Sequence, residues 1–534
     1  MPIHPRRSLR RPVCLLLSIS ALAIVHTASA QTPVHGGTLF AVVQPEPTML
    51  MTAVANQFPN GVVSVNIFDG LVSYDDHFKP HPDLAESWLV APDGRTITFH
   101  LRHGVKWHDG VDFTSADVRY SVLEVWKKVH SRGRVTFGEV TDVETPDKYT
   151  AIFKLSHASP VIFSALNAME AQVLPAHIYQ GTDVATNPHD IAPIGTGPFR
   201  FKSWKKGQYV ELERNPDYWD KGKPYLDRLI FRVIPDAATR AAALETGEVV
   251  YAPFDAVSLA DVDRLRKVPS LVVDTRGYDW QSQYYMIEFN LRNPILKQLK
   301  VRQAIAYAIN RQGLIDAAWY GLGKPATGPV PSTITTFYNP NVPHYDYAPA
   351  KAEQLLDQAG LPRKADGVRF TLNEDYMPFN DAFPNSAEYI RQNLKRVGIT
   401  VNVRNQDLAT YVRRVYGSYD FDLNTGQFSA FSDPQMGVFR QFWSKSSKAG
   451  IPWTNASGYA SPQMDAAIEG AQNEPDAAKR HALIDTVQVL AQTDLPVLPL
   501  FEMKHFTVYN KRVHGLSDAV DGALTSLKDV WLTK

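Results

Sequence analysis

Hydrophobic and polar positions recur along this chain with two periods. Period two marks strands. Gly37-Thr38-Leu39-Phe40-Ala41-Val42-Val43 reads as a first strand, ended by Gln44-Pro45-Glu46-Pro47 because proline cannot donate to a ladder. Thr96–Leu101 alternates cleanly after the turn Pro92-Asp93-Gly94. Residues 193–215 read as a Gly-Pro entry, a strand, a turn over Lys205–Gln208 and a second alternating strand. Asn66–Val72 reads as a helix end passing into a strand.

A 3.6-residue period marks helices. A hydroxyl cap ahead of Val118, Val122 and Val125 starts one near Ser115. Val301, Ala304, Ile305, Ala308 and Ile309 share one face of the next, and Asn310 caps another that ends near Gly321. Pro349 opens a helix closed by Gly360, and Ala387, Ile390, Leu394 and Val397 line one that runs straight into the strand Ile399–Arg404. Ser461-Pro462 opens a further helix, Leu483 to Leu490 mark the last long one, and Leu495–Leu500 reads as a buried strand flanked by prolines. Helices and strands interleave throughout, so the class is mixed α/β.

Composition narrows the function. Lys plus Arg and Asp plus Glu are 55 each among 534 residues, so no single-sign field favours nucleic acid or an anionic membrane. The opening reads as a signal peptide over 1–30: Arg6, Arg7, Arg10 and Arg11, an apolar run near Val13–Val25, then Ala28-Ser29-Ala30. The run is short for a retained anchor, which needs about 20 residues. The single cysteine, Cys14, lies at the start of the apolar run rather than after it, where no lipid anchor is expected. A chain of this length needs no disulfides to hold its core. A free periplasmic monomer is the expectation.

An ordered set of segments resembles bacterial extracellular solute-binding proteins of family 5, the peptide/nickel/opine type. It comprises Leu84-Ala85-Glu86-Ser87-Trp88, Phe99–Gly110, Phe113–Val118, Gly195-Thr196-Gly197-Pro198-Phe199, Arg214-Asn215-Pro216, Val301–Asn310, Leu355–Gly360 and Leu495–Leu500. The resemblance implies a two-lobe periplasmic binding protein fold (type II, cluster C-like). Lobe I would span 31–285 plus 498–534 with a subdomain near 72–193, and lobe II 286–497. The hinge would be Tyr285–Asn290 and Leu495–Leu500. It also implies capture of a peptide-like solute by lobe closure, delivery to the permease subunits of an ABC importer, no catalysis, and no cofactor or metal of the protein's own.

Peptide binders of the family carry an aspartate three positions before an Asp-Pro pair, and it meets the peptide's amino terminus. Here Asp433-Pro434 is preceded by Ala430, which puts free-amine peptides in doubt; Glu46 or Asp279 could substitute. Gln44 and Glu46 follow the first strand, and Arg404 ends another, where side chains face crevices in open sheets. Gln427, Phe428 and Phe431 lie in the aromatic stretch before Asp433, and Trp280 just before the expected crossing. These eight positions, Gln44, Glu46, Trp280, Arg404, Gln427, Phe428, Ala430 and Phe431, are the candidate ligand contacts. Aromatic density also suits an oligosaccharide or a metal chelate. From another class, a secreted hydrolase would need a nucleophile such as Ser203 of Ser203-Trp204-Lys205-Lys206, at a hairpin tip with no partner motif. A chaperone or sensor of the same fold would bind a partner protein instead.

Overall fold

This computed structural model describes Met1 and residues 32–534. The expected signal segment and Cys14 lie outside the described residues. Local chemistry accounts for many element boundaries. Thr114 caps Ser115–Tyr120, and Asp117 accepts from the Thr114 backbone N–H at 2.8 Å, which satisfies a donor that a first turn leaves open. Asn310 accepts from Gly313 at 3.0 Å ahead of Arg311–Trp319, and Ser461 and Asp476 cap Pro462–Asn473 and Ala477–Asp494. Two boundaries move. The helix Phe58–Ser64 ends because Asn66 donates to the Val62 carbonyl at 3.0 Å, and only Val72–Tyr74 is strand. Leu495 is the left-handed terminus of the preceding helix, so the buried strand is Val497–Met503. Pro499 sits in that strand beside a register shift opposite Tyr285 and Met286, the irregularity that lets a ladder accept proline.

Two large sheets dominate. The first is ordered Leu271–Asp274, Thr507–Asn510, Tyr251–Ala252, Thr38–Val43, Arg228–Val233, Tyr209–Arg214, Phe199–Lys205. The second is ordered Gly323–Pro325, Val497–Met503, Gln283–Phe289, Leu423–Ser429, Phe370–Tyr376, Ile399–Arg404. A four-stranded antiparallel sheet, Ala85–Val90, Thr96–Leu101, Thr150–Leu155 and Val140–Asp147, packs into the core of the first half.

Every residue of Gln283–Phe289 is buried, because both faces of its sheet are covered. Tyr285, Ile287 and Phe289 enter one core and Tyr284 and Met286 the other, as period two requires. The strands holding Tyr285 and Leu498 pair with each other inside the second sheet. The chain therefore passes between the large sheets at 275–282 and 504–506, not at the expected Tyr285–Asn290 and Leu495–Leu500. Among the described residues, no helix is long and apolar enough to cross a membrane.

Candidate functional site

The two crossings lie side by side, and a polar chain ties them together. Gln283 donates to Ser429 Oγ at 3.1 Å, His505 Nε2 meets Gln283 Oε1 at 2.8 Å, and His505 Nδ1 meets Asp255 at 2.6 Å. Tyr278 and Thr507 hydroxyls meet at 2.6 Å. The backbone here is unusual: Phe254 (φ 60°), Asp255 (φ 49°), Ser282 (φ 38°) and Phe431 (φ 57°) are left-handed without being glycine. Such residues are uncommon and cluster where surroundings hold a functional geometry. The N–H groups of Ala430 and Phe431 reach the Ser282 and Gln281 carbonyls at 3.2 and 3.0 Å, so the segment after Leu423–Ser429 is stitched to the first crossing.

Phe431 and Met436, from the second half, are buried in the first half's core. Trp280 meets Phe431 edge-on at 5.4 Å, and its indole donates to the Ser164 carbonyl at 3.2 Å. A cavity of about 180 Å³ opens beside them, walled by Phe163, Ser164 and Trp280 on one side and Phe337, Ser432 and Arg480 on the other.

The structure divides the expected contacts. Glu46 accepts from the Trp204 indole at 3.0 Å and from Gly207 N–H at 2.9 Å, so it pins the hairpin tip rather than standing free. Arg404 is committed to the buried Asp375, reached by Nε at 3.1 Å, and to Asp420. That pairing leaves no fork for a ligand carboxylate. Phe428 and Ala430 are packed in the core on one face of the second sheet, with Phe439 and Phe442, so most of the aromatic stretch is interior. Trp280 and Phe431 lie at the joint. Gln44 and Gln427 are half-buried, and their side chains have no hydrogen-bond partner among the described residues. Asp279 is likewise half-buried; burial and then nearby Glu502 raise its pKa.

Several groups at the joint carry no motif. Asp433 holds Gln435 N–H at 2.9 Å as a turn residue, and also pairs with buried Arg480 through 2.8 and 2.9 Å bonds. Arg132 stands 4.6 Å over the Phe431 ring and forks onto buried Glu170, with Nε at 2.9 Å. Arg440 stands 5.1 Å over Phe428; burial and then the facing Arg132 lower its pKa to about 10.

The chemical motifs resolve into structure. Ser203 Oγ donates to Glu211 at 3.4 Å, and Lys206 lies over the Trp204 ring. His108 accepts from Gly195 N–H at 3.2 Å and reaches the Gly197 carbonyl at 3.0 Å; burial lowers its pKa to about 4, so it is a neutral tie. A Cβ on Gly195 would stand 1.8 Å from the Ile67 carbonyl oxygen, which is why that stretch needs glycine. Asp75, Asp76 and His77 form a potential metal grouping on a turn. Asp75 is occupied there by His77 and Lys79 N–H groups at 2.8 and 3.0 Å and by His81 at 3.0 Å.

The family model of bacterial extracellular solute-binding proteins, family 5 Middle, matches residues 79–450. A dipeptide-binding protein of Pseudomonas aeruginosa is 30% identical over 483 residues, covering 85% of this chain and 87% of that protein. The structure of AgaA from A. tumefaciens R10 with agropinic acid has a TM-score of 0.76 at 27% identity, covering 93% of this chain and 99% of the other. Helicobacter pylori DppA with the peptide STSA has a TM-score of 0.77 at 27% identity, covering 94% and 99%.

Proposed function

The chain belongs to the bacterial extracellular solute-binding proteins, family 5, and on that premise we propose that it captures a peptide-like solute between its two lobes and hands it unchanged to the permease subunits of an ABC importer. The solute is a short, modified or cyclic peptide or an opine-type conjugate. The relatives bind a dipeptide, a tetrapeptide and agropinic acid, which brackets that class. The carrier works in the periplasm as a monomer, after removal of residues 1–30.

The observation that carries this reading is the joint. Two adjacent crossings connect the sheets, and Phe431 from one half is buried against Trp280 and Arg132. Rotation at a few residues separates or joins the halves, and a solute touching both shifts the balance toward closure. A closed site excludes water and strengthens each hydrogen bond inside it. Gln44, Gln427 and Asp279, polar and without partners among the described residues, are the contacts left for the solute.

A thermal-shift screen of dipeptides, tripeptides and opines tests the reading. A solute that binds only the folded protein stabilises it by RT ln(1 + [L]/Kd), about 2.7 kcal/mol at 100 Kd. The hit should also reduce the radius of gyration in solution scattering. Conversion of the hit into product, or unchanged melting and scattering across the panel, overturns the proposal.

A further inference from the structure

Arg440 holds a charge that nothing in the described structure answers. The side chain is half-buried: its Nε is enclosed without a partner, and its guanidinium makes no hydrogen bond or ion pair among the described residues. The nearest acid across the joint, Glu170, is already taken by Arg132 and by Asn56, which donates to it at 2.7 Å. Stacking over Phe428 at 5.1 Å offsets only part of the cost of enclosing the charge. Taking even part of a charge out of water without pairing it is unfavourable.

The position has meaning. Phe428 and Ala430 face the same core, and the turn that leads into Phe439–Phe442 packs directly on them: a Cβ on Gly437 would stand 2.2 Å from the Ser429 carbonyl oxygen and 2.6 Å from that of Ala430. Arg440 therefore sits against the place where a peptide binder of this family presents an acid to an ammonium. Here the acid is absent and a guanidinium is added, with a second one, Arg132, facing it. The local charge is inverted.

Resting on the carrier reading above, we propose that Arg440 is the anchor for an anionic group of the cargo. The cargo carries a carboxylate where an ordinary peptide carries its amino terminus, as in N-carboxyalkyl or N-succinyl amino-acid conjugates. The planar guanidinium suits a carboxylate through two parallel N–H···O bonds, and Arg132 adds positive potential from the opposite lobe. Closure then brings the anion to Arg440, while Arg132 stays on Glu170 and contributes through its charge alone.

The full-length mature chain is tested with three probes that differ only at the amino end: trialanine, N-acetyl-trialanine and N-succinyl-trialanine. By calorimetry the succinyl compound binds tightest and trialanine weakest. Arg440→Gln lowers affinity for N-succinyl-trialanine about 10- to 100-fold, as loss of a charged hydrogen bond predicts, and leaves trialanine within about 3-fold. Without ligand, Arg440→Met melts at or above the wild type, because a charge without a partner is removed. Trialanine binding tightest, unchanged succinyl affinity in Arg440→Gln, or an Arg440→Met variant melting several degrees lower each overturns the anchor while leaving the carrier reading intact. Failure of all three probes to bind sinks the peptide-like carrier reading and the anchor with it.

Discussion

Glu374 is fully buried in the strand Phe370–Tyr376. Thr425 donates to its Oε1 at 2.8 Å, while Oε2 has no partner among the described residues. Burial raises its pKa from 4.5 to about 8, with neighbouring Asp375 adding to the shift. Between those two values the folded chain keeps a proton that the unfolded chain releases, so stability falls as pH rises. Below that window both states are protonated, and the stabilising contribution is complete. Glu374→Gln should flatten the decline, leaving the variant ahead of the wild type at pH 8 by more than at pH 5 in denaturant melts. A residual slope remains from Glu288, raised to about 7 by burial. Parallel pH profiles for the two proteins would contradict the assignment.

At the scale of elements, the hairpin Phe199–Lys205 and Tyr209–Arg214 is held at its tip by Glu46, which follows the central strand Thr38–Val43. Glu46→Ala removes both acceptor contacts. Amide exchange at Gly207 should then quicken at least about 10-fold, given about 1.5–3 kcal/mol for bonds to a charged acceptor, while ladder amides of the hairpin stay protected. Uniform exchange along the hairpin would show that Glu46 does not pin the tip. The hairpin itself was legible in the sequence, as were the caps at Thr114, Asn310 and Ser461, because alternation and capping are set by residues a few positions apart. Glu46 as the hairpin's clamp was not, since its partner lies 158 residues away. Arg404 is a candidate contact by its place at a strand end. Only the register that sets Asp375 beside it shows the fork to be filled. Arg440 gave no signal within Phe439-Arg440-Gln441-Phe442, because its lack of a partner is a property of the packed joint and not of its neighbours in sequence.

For the whole molecule, each large sheet is completed late. Val497–Met503 lies between Gly323–Pro325 and Gln283–Phe289 in one, and Thr507–Asn510 lies between Leu271–Asp274 and Tyr251–Ala252 in the other. A chain shortened to end before Val497 loses a strand from the interior of both sheets and the second crossing as well. Such a truncation should show no cooperative melt and should be degraded by protease at rates typical of unfolded chains. A folded, protease-resistant product would show that either sheet can close without its late strand.

The same placement sets an order of events during synthesis. A polypeptide leaving the ribosome cannot finish either layer until nearly all of it has emerged. Both large layers therefore remain open-edged for almost the whole of translation, while the small sheet of Ala85–Val90, Thr96–Leu101, Thr150–Leu155 and Val140–Asp147 has all its strands early.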